Sequence, residues 1–334
     1  MKLFEPRLEE ENIKNILEVL ESGNLGFGNK VPEFEDKFAS LSGKKYNVAT
    51  NSASAAAFMI FYYLKEIYGV CDIYTTTLGF ISPAWAAKHL GHNIHYVDIN
   101  NELQFDCKDY FLKRKNNISE NKKVLMPVLY GGVDTINGWS TVGDEIVVVD
   151  SAHCVTPKID AEYYFFSFHP LKPICSSDGG MISTANDYAA EYFKTFRNFG
   201  RVSSDRTYIL MRNGFKFYMN NLNAAIALES IKKYSEQREQ RKENYEYIKN
   251  KISGTLVEQT PNSSYYIGSA LRDNADEIME KLEVSRLYPL LHKSVAVGNK
   301  GILINAERIH SKIVNFPIHH NLTKGQIEYI ISLL

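Results

Sequence analysis

The chain has 334 residues, 38 basic and 39 acidic side chains, and a net charge of -1. That balance gives no reason to expect a polyanion or membrane surface as partner, and no apolar run approaches the roughly 20 residues that a bilayer span needs. Met1–Arg7 lacks the apolar core of a secretory leader, and Cys71, Cys107, Cys154 and Cys175 form no CxxC pair, so a reducing cytoplasm is expected rather than a disulfide or zinc framework.

In chain order, Leu8–Ser22 carries Ile13, Ile16, Leu17 and Leu20 at helical spacing, and Gly23 stops it. Asn24–Asn29 is a glycine-rich turn, and Pro32 can open a second helix that Gly43 ends. Tyr46–Thr50 predicts a strand, Ala55–Leu64 an apolar helix, Asp72–Thr77 a strand, Ser82–His89 a helix and Ile94–Asp98 a strand. Val124–Tyr130, Glu145–Asp150, Tyr163–Phe168 and Met181–Thr184 predict further strands, and Asp187–Arg197 and Asn220–Lys249 long helices. Strands separated by helices at this rhythm argue for an α/β domain with a mostly parallel sheet. From about Ser253 the texture changes to short strand-like runs, Thr255–Gln259 and Ser264–Leu271, before a final helix from Thr323. The reading is a large domain over residues 1–235 and a smaller C-terminal α+β domain over residues 236–334.

In an open α/β sheet, ligands sit beyond the carboxyl ends of the strands. There the chain places Asn51–Ser54, the Thr77–Phe80 turn, Asp150–His153 and Ser167–Lys172. Asn51–Ser54 precedes a helix with no charged first turn, so Ser52, Ser54 and free N–H groups suit an anion such as a phosphate, or form an ordinary cap. GxGxxG and GxxxxGK[ST] are both missing, which argues against dinucleotide and P-loop readings. Asp150 closes the apolar strand EIVVVD, where a carboxylate either caps a turn or holds a cation, a metal or a protonated ring nitrogen. His153 and His169 have no ligand spacing, so no metal is expected. Lys172 follows a strand with apolar residues on both faces. A desolvated ammonium there is either ion-paired or of lowered pKa, the condition for a Schiff base. A lysine for an aldehyde, an aspartate for a pyridinium nitrogen and a helix start for a phosphate together describe a pyridoxal 5′-phosphate (PLP) site.

These residues resemble the DegT/DnrJ/EryC1/StrS family of PLP-dependent nucleotide-sugar aminotransferases, which share the aspartate-aminotransferase-like fold. SFHPLKPICSSDGG, Ser167–Gly180 around Lys172, stands for the family's SFHPxKxITxGEGG. VDSAH, Val149–His153, stands for EDAAH or EDAAQ, and SASAAA, Ser52–Ala57, for SGTAAL. GFISP (Gly79–Pro83), Arg197–Gly200, GFKFYMNNLNAA (Gly214–Ala225) and Asn305–Thr323 continue the likeness, which runs from about residue 10 to the C-terminus. Among the departures, Ala53 replaces a glycine, Ser54 a threonine, Asp178 a glutamate and Gly79 a threonine, and the segment between Asp150 and Lys172 is shortened.

The resemblance implies that Lys172 carries the cofactor and shuttles the proton, that Asp150 pairs with the pyridine nitrogen, and that His153 lies near the ring or its phenolic oxygen. Phe80 would stack on the ring. Ser52, Ala53, Ser54 and Ser167 would surround the phosphate, helped by Lys216 from the neighbouring subunit of a homodimer with composite sites. The implied reaction is amination of a keto group on a nucleotide-linked deoxysugar, with glutamate as donor and PLP/PMP as carrier, for surface-polysaccharide or glycoconjugate synthesis. His153 in place of glutamine leans toward C4 rather than C3, and Lys172 in place of histidine excludes the 3-dehydrating branch. Cyclitol amination on the same scaffold, or a non-catalytic PLP-binding regulator, are the alternatives.

Overall fold

The computed structural model of the chain describes residues 1–6, 10–204, 207–295 and 301–334. A seven-stranded sheet is built from β1 (Tyr46–Thr50), β2 (Cys71–Thr76), β3 (Asn93–Val97), β4 (Lys122–Met126), β5 (Ile146–Asp150), β6 (Tyr163–Ser167) and β7 (Gly180–Thr184). Their spatial order is β1-β7-β6-β5-β4-β2-β3. The run from β6 to β3 is parallel, and β7 is antiparallel to both of its neighbours. The sheet is therefore mostly parallel and mixed, as expected.

The central strands are apolar on both sides because both faces are covered. Tyr164 and Phe166 pack into one core with Phe34 and Phe38 of α2 (Lys30–Ser42) and Ala224, Ala227 and Leu228 of α7 (Asn221–Lys249). Tyr163 and Phe165 point the other way, into a core with Ile60, Phe61 and Leu64 of α3 (Ala53–Tyr68) and Phe193 of α6 (Asp187–Phe196). Period-two alternation across a strand buried on both faces produces this split. A cavity at Phe166 would cost about 3–5 kcal/mol.

Several boundaries move for local reasons. The expected strand Val124–Tyr130 stops at Met126, because Pro127 has no N–H for the ladder. The chain then makes one 3₁₀ turn at Tyr130–Gly132. The first helix, α1, runs over Glu10–Ser22; its expected start at Leu8 lies outside the described residues. Thr255–Gln259 pairs only at Leu256 with Ala270, and the run Ser264–Leu271 becomes a strand only as β10 (Gly268–Leu271). Before Gly268, Ser264 N and Tyr266 N donate to Gly132 O (2.7 Å) and Gly131 O (3.1 Å), with Tyr265 at φ 48° between them. That kink presses Tyr266 toward the large sheet.

β10 pairs antiparallel with β11 (Ile313–Phe316). With Tyr245 and Ile248 of α7, α8 (Ala275–Leu282) and α10 (Lys324–Leu333), they form a separate core. The sequence reading contained neither α8 nor α9 (Ile304–Lys312), nor α5 (Cys107–Asn116), nor the β8–β9 hairpin (Arg201–Ser203 with Tyr208–Leu210). In α7, Tyr234 belongs to the sheet core and Tyr245 to the C-terminal one. We propose a domain division after residue 235, within that helix.

Candidate active site

A cavity of about 350 Å³ opens beyond the carboxyl ends of β5 and β6. Its wall brings together Ser52, Ala53, Ser54, Phe80, Asp150 and His153, together with Ser167 and Lys172. These residues span more than a hundred positions of sequence, and crossover connections deliver them to one end of the sheet.

The anion-suited turn comes from the junction of β1 and α3. Ser52 caps α3, its hydroxyl accepting from Ala55 N at 3.1 Å, while Thr50 Oγ1 donates to Ser52 O at 2.9 Å. The first-turn N–H groups of Ala53 and Ser54 have no intrahelical acceptor, so they remain available. Ser54 Oγ donates to Ser82 Oγ (2.8 Å), which ties the turn to the start of α4 (Ile81–His89). Gly180 of β7 passes directly beneath: a Cβ there would stand 2.5 Å from Ala53 N and from Ser52 O. The glycine of the SSDGG stretch thus lets the strand support the phosphate-type turn at backbone distance.

Asp150 is 4% exposed. Its backbone is locked by Asp150 N donating to Pro127 O (2.9 Å) and Leu129 N donating to Asp150 O (3.0 Å). Its carboxylate accepts one backbone N–H, that of Ala152, at 3.0 Å. Burial pushes its pKa up to about 6, against the opposing pull of Ala152 N–H and the Lys172 charge.

Lys172 is carried on the turn after β6. Ser167 Oγ accepts from His169 N (3.4 Å), and Lys172 N closes the turn on His169 O (2.8 Å). The ammonium nitrogen lies 4.9 Å from the centre of the Tyr266 ring. Among the described residues, no carboxylate is ion-paired with it. Burial lowers its pKa to about 8, with Asp150 resisting.

His153 is buried, and its Nε2 stands 2.7 Å from Tyr288 Oη. The ring packs on Tyr266 (centroids 4.3 Å) and stacks with Tyr288 (5.7 Å, 17°). Burial, reinforced by the Lys172 charge, holds the imidazole neutral, with a pKa well below the usual value. Its Nδ1 is buried without a hydrogen-bond partner. If the Tyr288 hydroxyl donates to Nε2, the ring carries its proton on Nδ1, a donor waiting for an acceptor. Phe80, at the start of α4, is 58% exposed at the cavity edge, 5.9 Å from the Tyr288 ring.

Lys216 is not on this wall; it is exposed beside Tyr218, 5.8 Å from that ring. Its segment is nevertheless tied to the phosphate-type turn, because Asn51 N donates to Phe217 O (2.7 Å) and Asn51 Nδ2 to Lys216 O (3.2 Å). Sequence reasoning missed Tyr266, Tyr288 and Phe4, all of which line the cavity. They come from the two ends of the chain and belong to no local motif.

The residues present fit a phosphorylated pyridine aldehyde: an amine of lowered pKa, a nearly unsatisfied carboxylate, an orphaned imidazole nitrogen and open helix-start amides. These are the groups that a PLP-dependent aminotransferase needs. The chain belongs to the DegT/DnrJ/EryC1/StrS aminotransferase family, whose model matches residues 6–334, and PLP is its cofactor. It is 29% identical to the spore coat polysaccharide biosynthesis protein SpsC of Bacillus subtilis, over 71% of this chain and 65% of that protein. It is 27% identical to the UDP-4-amino-4,6-dideoxy-N-acetyl-beta-L-altrosamine transaminase of Helicobacter pylori, over 69% of this chain and 64% of that one. The solved structure of Helicobacter pylori PseC, an aminotransferase involved in the biosynthesis of pseudoaminic acid, superposes with a TM-score of 0.87 at 23% identity, covering 99% of this chain and 97% of that one. No helix among the described residues is long and apolar enough to cross a membrane.

Proposed function

We propose that the protein aminates a keto carbon of a nucleotide-linked deoxysugar, at C4 rather than C3, with glutamate as amino donor, in a cytoplasmic step of glycoconjugate or surface-polysaccharide synthesis. The observation that supports the transaminase part of this reading is the meeting of Lys172, Asp150 and the open Nδ1 of His153 in one cavity. The curated relatives named for sugar transamination and spore coat polysaccharide synthesis support the substrate class.

Bound PLP supplies an electron sink for a carbanion at the substrate carbon and carries the amino group between two half-reactions. Asp150, buried and accepting a single backbone N–H, would pair with the protonated pyridine nitrogen. His153 would donate from Nδ1 to the phenolic oxygen, with the Tyr288 hydroxyl at Nε2 holding that tautomer. Ser52, Ala53, Ser54 and Ser167 would hold the phosphate with amides and hydroxyls, and Phe80 would stack on the ring. Lys172, its pKa lowered by burial to about 8, would take the proton from the substrate carbon and deliver it to the cofactor's aldehyde carbon. Lys216 of a second copy would complete the phosphate site, which makes the proposed working unit a homodimer with composite sites.

Glutamate should convert the bound cofactor to its amine form. That form, incubated with a panel of nucleotide-linked 4-keto and 3-keto sugars, should yield an aminated product by mass spectrometry with a 4-keto member. Amination of a 3-keto member alone refutes the position; amination of none refutes the sugar substrate.

A further inference from the structure

Lys172 separates two cavities. The larger is the one above; the smaller, about 70 Å³, lies between the Lys172 turn and α7. Phe4, Leu171, Lys172 and Tyr266 belong to both walls. On the far wall stands Arg241 of α7, only 5% exposed. Its Nε donates to Ser264 O (3.1 Å), its Cζ lies 5.8 Å from the Tyr234 ring, and its Nη2 is buried with no hydrogen-bond partner. Among the described residues, no carboxylate is ion-paired with it. Burial lowers its pKa to about 10, which still leaves a cation at neutral pH.

An interior guanidinium without a counter-charge is costly unless something supplies one. Two acidic residues line this cavity, Glu5 and Glu229. Glu229 is occupied, by Lys232 and by Asn15 Nδ2 at 2.7 Å. Lys233, His319 and His320 line the same wall. The space suits a small anionic group and is far too small for a nucleotide or a diphosphate. A planar guanidinium is the side chain best shaped to take a carboxylate in two parallel bonds.

We infer that Arg241 receives the side-chain carboxylate of the amino donor, so that the small cavity selects a dicarboxylic amino acid. The inference rests on the transaminase reading. A donor whose Cα stands at Lys172, where the proton must move, can extend its side chain from the larger cavity past Leu171 and Tyr266 into the smaller one. A donor with no second carboxylate leaves Arg241 as it is now.

The test separates binding from turnover. Glutarate should raise the melting temperature of the protein more than butyrate does, and Arg241→Gln should abolish that preference. In the donor half-reaction, Arg241→Gln should raise the glutamate concentration for half-maximal rate about tenfold or more. The alanine reaction, measured alongside, should change little, as should the rate with the sugar substrate. Equal losses with glutamate and alanine would show that Arg241 only supports the fold. With the protein PLP-loaded, so that the Ser52–Ser54 turn is occupied, inorganic phosphate stabilising as well as glutarate would overturn the carboxylate assignment. Should Arg241→Gln fail to fold, Arg241→Lys decides: it keeps the charge and loses the bidentate geometry, so an undiminished preference for glutarate refutes the proposal. A wild-type protein that takes an amino group from no donor refutes the transaminase reading instead, and the glutarate measurement then decides the pocket alone.

Discussion

Asp72 and Asp150 are buried carboxylates on parallel strands of one sheet, and they are in opposite condition. Asp72, near the amino end of β2, receives the side-chain amides of Asn93 (2.8 Å), Asn117 (2.9 Å) and Asn121 (3.2 Å). His95 and Lys123 stand 3.5 and 3.9 Å away. Burial pushes its pKa up, but donors from Asn93, Asn121, Asn117 and Ser119 outweigh it and hold the carboxyl below the ordinary range. Asp150, at the carboxyl end of β5, has one N–H, and burial wins. A saturated buried charge holds the structure together, whereas an under-satisfied one waits for a ligand. The two ends of the sheet have divided these tasks between them.

The largest effect should come from the waiting end. On the proposed role, Lys172→Ala abolishes the borohydride-trapped cofactor adduct; an adduct that survives would sink the assignment. Because burial lowers the Lys172 pKa from 10.5 to about 8, capture of added PLP by the cofactor-free protein should accelerate through a midpoint near pH 8. A midpoint near 10 would mean that the amine is not desolvated. Asp150→Asn should cut turnover by roughly 10²–10⁴-fold with the fold intact. Near-normal kinetics would refute the ring-nitrogen role. Lys216→Ala should weaken phosphate binding by less, since helix-start amides remain. Mixing it with Lys172→Ala subunits should restore one good site per dimer; no recovery counts against the composite site.

Much of the waiting end was legible because its signals are local. EIVVVD and YYFFS read as strands buried on both faces, and a charged residue at or just past the end of such a strand has to be accounted for. Lys172 and Asp150 follow from that alone, the Ser52–Ser54 turn from a helix start with hydroxyls, free N–H groups and no charged first turn, and the family resemblance adds His153, Phe80 and Ser167. The aromatic wall behind them was not legible. Tyr266 reaches the site because Tyr265 takes a left-handed backbone and the segment bonds to Gly131 and Gly132, a tertiary event with no sequence period. Phe4 lies 4.5 Å from Tyr266 in a stack, a contact between residues 262 positions apart that no local pattern announces. Elements went unread for a related reason. α5, CKDYFLKRKN, buries only Cys107 and Tyr110, too few apolar positions to show a helical stripe. The strands β8 and β9 are short and largely exposed, so they alternate in nothing.

The smallest and sharpest test concerns stability, where the two aspartates should respond to pH with opposite sign. Asp72 is held below its ordinary value of 3.8, so its ionised form favours the folded state. That contribution is present above the unfolded pKa and disappears as pH falls through the folded one. Asp72→Asn should therefore lose about 1–3 kcal/mol at neutral pH, where three amide donors lose an acceptor charge, and the difference from wild type should shrink in acid while turnover is unchanged. Asp150 is raised above 3.8, so in the cofactor-free protein its ionisation opposes folding, and the penalty grows as pH climbs through about 6. Asp150→Asn should make the cofactor-free protein more stable than wild type above that pH and no different well below it. Denaturant midpoints across pH 4 to 8 measure both. If the two variants shift stability in the same direction at neutral pH, Asp150 is a structural group like Asp72, and the division of the sheet into a holding end and a waiting end fails.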